Sequence, residues 1–142
     1  MIGIIVAAIV LAGILFFALS PEQNIKSESD KLDDRIGQTY QVSITDTGFT
    51  PKTFTIKKGD SVTWTNARSA ESWPASAQHP SHTLYPGSGI DKCGTSDENT
   101  IFDACDGLAQ NESYTFTFNE VGSWNYHDHL VPSQSGRIVV EP

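Results

Sequence analysis

From residue 39 onward the chain alternates apolar and polar residues at period two, and no stretch carries a helical period. TYQVSITD (39–46) sets Tyr40, Val42 and Ile44 on one face. KTFTIKKGDSVTWTN (52–66) reads as two strands around Gly59-Asp60, with Phe54, Ile56, Val62 and Trp64 pointing inward. ESYTFTFNEVGSWNYH (112–127) repeats the design with Tyr114, Phe116 and Phe118, a break at Gly122, then Trp124 and Tyr126, and GRIVVE (136–141) follows. Successive side chains of a strand point to opposite faces, so each segment offers one apolar face and one wet face. β-Branched and aromatic residues at this period, punctuated by Gly, Asn and Asp, predict an all-β sandwich or barrel. Residues 38–142 suit one domain with one core.

Two different segments precede that domain. Residues 1–19 carry no charged side chain, about the length a helix needs to cross a bilayer core. No Lys or Arg precedes the apolar run, and Pro21 directly follows the small-residue pattern Ala18-Leu19-Ser20, a poor cleavage site. Residues 1–20 are therefore expected to form an uncleaved N-terminal transmembrane helix, with a cleaved signal sequence as the rival. Residues 21–37, nearly free of large apolar side chains, read as a polar linker. This order places the domain on the extracytoplasmic side, in a periplasm or at a cell surface. Cys93 and Cys105 would pair there as a disulfide, contributing on the order of 3 kcal/mol by loop closure. The alternative, a thiolate metal ligand, has no histidine next to either cysteine. The net charge of −8 excludes a nucleic-acid partner, which needs clustered Lys and Arg.

Between Asn66 and Ile101 the alternation disappears. This insertion holds three of the seven prolines, one cysteine and two of the four histidines. Loops of this length inside compact domains are usually functional or disordered; Trp73, Tyr85 and Cys93 argue for order. All four histidines fall in two short clusters, His79-x-x-His82 and His127-x-His129. Imidazole is the commonest ligand for copper and zinc, and paired clusters on neighbouring loops can converge on one ion. The bland alternative has His127 and His129 decorating a strand end while His79 and His82 cap turns. Parity puts Trp124, Tyr126 and Asp128 on one face and Asn125, His127 and His129 on the other. With the aromatics inward, both histidines point away from the core and a metal lies beside the strand, provided no bulge intervenes.

The segments FTPKTFTIKKGDSVTWTN, His82-Thr83, YTFTFNEVGSWNYH and GRIVVE together resemble a cupredoxin, the Greek-key β-sandwich of plastocyanin and its relatives, over about residues 39–142. Blue members of that family follow Tyr-x-Cys-x-x-His-x-x-Met-x-Gly in the last loop, with one histidine upstream. On this chain the upstream histidine falls on His82, the cysteine on Asp128, the second histidine on Val131, the methionine on Gln134 and the glycine on Gly136. Three of four blue-copper ligands are thus replaced, and a blue thiolate–copper site is excluded. His127-Asp128-His129 also resembles the His-Cys-His of multicopper oxidases, whose flanking histidines serve a different copper cluster. The expected site is therefore His79, His82, His127 and His129. Asp128 is open to three roles: oxygen ligand, acceptor that fixes a loop amide or a histidine N–H beside the ligands, or plain loop tie.

Four imidazoles suit tetragonal Cu(II) and also tetrahedral zinc, with nickel behind; affinity order and the resemblance favour copper. Met1, the sole methionine, lies at the start of the apolar run, so no Met-rich Cu(I) site is available. Three functions remain: a membrane-tethered copper-binding protein for capture, buffering or transfer, with a copper or electron-transfer protein as the partner for its ion; a redox or type 2 copper module; and a metal-free interaction domain. No nucleophile–base or paired acid/base constellation is visible beyond Asp128, so enzyme activity has little support.

Overall fold

Among the described residues, eight strands build two four-stranded sheets. The computed structural model describes residues 37–142; the expected anchor helix and linker up to residue 36 lie outside the described residues. Among the described residues, no helix is long and apolar enough to cross a membrane. Strands β1 (Thr39–Thr45), β2 (Gly48–Thr50), β4 (Ser61–Asn66) and β6 (Ser113–Thr117) form one sheet in the order β2-β1-β4-β6. Strands β3 (Thr53–Lys57), β5 (Pro74–Ser76), β7 (Gly122–Asp128) and β8 (Val131–Glu141) form the other, in the order β3-β8-β7-β5.

The period-two reading locates all the strands but β2 and β5, and it does not reveal their partners. The segments on either side of Gly59-Asp60 are not a hairpin: β3 runs parallel to β8, while β4 pairs with β1 and β6. The same holds around Gly122, where β6 and β7 enter opposite sheets. Each turn carries the chain across the sandwich, so both strands can aim their apolar faces at the same core. Asp60 braces the first crossing by accepting the backbone N–H of Lys57 at 2.8 Å and of Gln38 at 2.7 Å.

The core follows the alternation closely. Val42, Ile44, Ile56, Val62, Trp64, Phe116, Phe118, Tyr126, Ile138 and Val140 are buried, with Tyr40, Phe54, Tyr114 and Trp124 packed against them half-buried. Trp64 stacks on Phe102 and Tyr114 and meets Tyr126 edge-on, with centroids 5.1, 5.6 and 5.5 Å away. Such pairs add roughly 0.5–1.5 kcal/mol each beyond buried area.

The insertion is ordered and joins this core. Tyr85 and Phe102 are buried among Phe116 and Phe118, and the Tyr85 Oη accepts the backbone N–H of Asn119 and Glu120. Two short 3₁₀ turns (Ile90–Lys92 and Glu98–Thr100) carry the chain back, and Cys93 and Cys105 are joined in a disulfide with their Cα atoms 5.3 Å apart. β5, hidden in sequence by its Pro-Ala-Ser composition, is the edge strand beside β7.

Candidate metal centre

Strand β7 delivers His127 and, one residue beyond its end, His129. Parity alone holds as far as His127; a register irregularity between His127 and Asp128 then turns the strand end. The His129 N–H donates to the Trp73 carbonyl at 2.7 Å, continuing the β5–β7 pairing past the turn. The insertion supplies the other two histidines across the same edge. Ala77 N–H donates to the Asn125 carbonyl at 3.0 Å, which pins the loop to β7. A tight turn, with His82 N–H on the Gln78 carbonyl at 2.7 Å, then points His79 and His82 back at the strand. His82 sits in the left-handed region at φ 57°, which His tolerates better than β-branched residues do.

The four histidines that lie in two clusters in sequence form one cluster in space. One ring nitrogen from each of His79, His82, His127 and His129 falls in a set whose members all lie within 4.8 Å of one another. His82 and His127 are buried, His129 is half-buried, and His79 faces solvent. Tryptophan 73, Trp73, covers one side, its ring centroid 4.5 Å from that of His129. Burial, then the neighbouring imidazoles, push the His127 pKa down to about 4, and the same causes lower that of His129. Most telling is the His127 Nε2: it is buried without a hydrogen-bond partner. An orphaned buried nitrogen in a neutral ring is costly unless something else takes its lone pair. The donor set, four imidazoles converging on one point with a buried ring nitrogen left without a partner, fits a transition-metal ion.

Asp103, which no motif singled out, organises this cluster. Its Oδ2 stands 2.5 Å from the His82 Nδ1, and its Oδ1 accepts Trp73 Nε1 at 2.6 Å and the Cys105 backbone N–H at 2.8 Å. The carboxylate thus holds the proton of His82 on Nδ1 and leaves Nε2 to face the other rings, 2.9 Å from the His129 Nδ1. Carboxylate–imidazole pairs of this kind set ligand orientation and basicity. Burial alone would raise the Asp103 pKa, but the bonds from His82, Trp73 and Cys105 together bring it below its usual value. The Asp103 N–H donates to the Tyr114 Oη, whose own proton goes to the Ile101 carbonyl; burial pushes the Tyr114 hydroxyl pKa well up, so it keeps that proton. In sequence Asp103 is one acidic residue between Ile101-Phe102 and Ala104-Cys105, with no spacing that ties it to a histidine.

Asp128 is fully buried and its oxygens are taken by Arg68 Nη2 and Ser72 Oγ, each at 2.8 Å, and by the backbone N–H of Trp73 and Leu130 at 3.0 Å. These bonds fix two loop amides, a serine and an arginine, and none of them goes to a histidine. The same guanidinium reaches the Gln134 Oε1 at 3.0 Å. The positions aligned with the blue-site cysteine and methionine are therefore bridged by a fixed cation of the protein's own. Cys93 and Cys105, with Asp103 beside them, are engaged as a disulfide.

No protein-family model matches the sequence, and neither does any curated protein. Solved structures do match. A purple cupredoxin from Nitrosopumilus maritimus superposes with TM-score 0.54 at 20% identity, over 72% of this chain and 99% of that one. A reduced Cu(I) form of an amicyanin variant gives 0.51 at 20% over 72% and 82%, and an oxidised amicyanin variant gives 0.50 at 22% over 72% and 81%. By its two sheets, their strand order and these likenesses, the chain has the cupredoxin fold, and it carries a histidine cluster where one edge of that fold meets a long insertion.

Proposed function

We propose that this chain is a copper-binding protein that holds Cu(II) in a non-blue site of four imidazoles, His79, His82, His127 and His129, and serves copper capture, buffering or transfer. The His127 Nε2, buried without a hydrogen-bond partner in a cluster of four imidazoles, carries this reading. Where both metals are available, an all-nitrogen site takes copper ahead of zinc. The cupredoxin fold supports copper in a general way. A bound Cu(II) would supply a Lewis-acidic, slowly reduced centre, because the cluster of His79, His82, His127 and His129 includes no thiolate or thioether to stabilise Cu(I). Asp103 fixes His82, Trp73 shields His129, and solvent-facing His79 is the natural point of entry and release. The apolar residues 1–20 and polar residues 21–37 support tethering to a membrane, with the domain on the extracytoplasmic side.

The test is to load the full chain, solubilised in detergent, with one equivalent of Cu(II) and record absorption and paramagnetic resonance spectra beside His82→Ala and His127→Ala. An all-nitrogen tetragonal signal without an intense thiolate band, lost in both variants, is the expected outcome. Absence of stoichiometric binding, or a signal indifferent to both substitutions, would sink the reading.

A further inference from the structure

Beside the histidine cluster lies a cavity of about 500 Å³, with His79 and His127 in its wall and Lys52, Asn125, Ser135 and Arg137 next to them. The strand register explains this grouping. His127 stands opposite Ser135 and Asn125 opposite Arg137, so all four rise from one face of the sheet. Diagonal neighbours on such a face are about 7–8 Å apart, well within the reach of an arginine. Lys52 is brought in from the start of β3, where its carbonyl accepts the Arg137 N–H at 2.9 Å.

The charge of this cavity runs against that of the chain. The protein carries a net −8, yet no Asp or Glu lines the cavity and two cations do. Arg68 is paired with Asp128, whereas among the described residues neither the Lys52 nor the Arg137 side chain has an ion-pair or hydrogen-bond partner. Low-dielectric walls with charge of one sign concentrate the opposite ion. A guanidinium offers two parallel N–H groups that match a carboxylate. Ala77, Pro132 and Tyr126 add apolar wall, and the volume lies in the range of small-molecule sites.

We propose that this cavity binds a small organic carboxylate, held by Arg137 and Lys52 with its acid group at the metal edge formed by His79 and His127. The metal-edge half rests on the copper reading above; the cation half stands without it. Such a ligand would cap the ion on its exposed side, or arrive as the small carboxylate chelate from which the four imidazoles take the ion.

Benzoate is the probe, with benzamide as its neutral counterpart, titrated into the full chain in metal-free and Cu(II)-loaded forms. Calorimetry reads binding to both forms and paramagnetic resonance reads the loaded one. The expected result is saturable benzoate binding in each form, tighter with copper and with a shifted copper signal, and no comparable benzamide binding. The Lys52→Ala/Arg137→Ala double variant should bind benzoate at least tenfold more weakly, while Arg137→Lys loses less. Both residues are exposed, and circular dichroism of the variants verifies the fold. Binding unaltered by the double variant, equal binding of benzamide, or no saturable binding in either form overturns the site. Binding without movement of the copper signal overturns its placement at the metal edge. Should the chain take up no copper, the proposed function fails, and benzoate binding by the metal-free form still decides the cation half.

Discussion

A single carboxylate, Asp103, sets the tautomer of His82, braces Trp73 and ties the disulfide loop to the cluster. Asp103→Asn keeps the shape and an oxygen for Trp73 and Cys105, but it removes the charge that orients His82. Copper affinity should fall about 10–100-fold with near-native stability, measured by competition against a chelator of known strength. An unchanged affinity would reduce Asp103 to scaffolding. Protons test the same cluster from another side. His127 has its pKa lowered from 6.5 to about 4, so above pH 6.5 folded and unfolded chains are both neutral there. As pH falls from 6.5 towards 4, the unfolded chain takes up a proton that the folded one refuses, and metal-free stability declines. His129 and, at lower pH, Asp103 shift in the same direction and add to the decline. Urea midpoints of the metal-free chain at pH 7, 5.5 and 4.5 should drop in that order; a flat series would mean that the cluster is open to protons.

Elements matter here through their ends. β7 enters the core as a regular strand and leaves it through the irregularity at His127–Asp128, and that turn lets Asp128 face Arg68 while His127 and His129 face the insertion. Opposite Tyr126 on β8 stands Gly136, where an added Cβ would meet the Tyr126 Oη at 2.5 Å. Both β7 and the aromatic packing of Tyr126 depend on that gap. Gly136→Ala should cost about 1–3 kcal/mol by overpacking, read as a lowered denaturation midpoint; a midpoint within error of the parent would show that β8 can shift without penalty. The histidine pairs were legible at this scale because ligand types clustered in sequence. Asp103 and Arg68 were not, because their partners lie 21 and 60 residues away and nothing local marks such a pair.

For the whole molecule, the site joins a strand end and an insertion that only the folded sandwich holds together. A ligand that binds this assembled state and not the unfolded chain stabilises it by mass action, about 2.7 kcal/mol at a free concentration a hundred times Kd. Cu(II) should therefore raise the Tm by roughly 10–20 °C for a domain of this size, reversibly on chelation, and by far less in His82→Ala. A melt that ignores copper would separate the fold from the metal. Period-two alternation was enough to reveal most of the strands, their inward faces and an all-β sandwich or barrel, since the pleat of a strand dictates that pattern locally; the sandwich itself and the replaced blue-site ligands were legible only through the resemblance to cupredoxins. Strand partners, the ordered path of the insertion, the tie between Asp128 and Arg68 and the meeting of four imidazoles over Asp103 were decided in the tertiary structure. Those contacts join residues distant along the chain, and the packing of two sheets around one aromatic core is what brings them within reach.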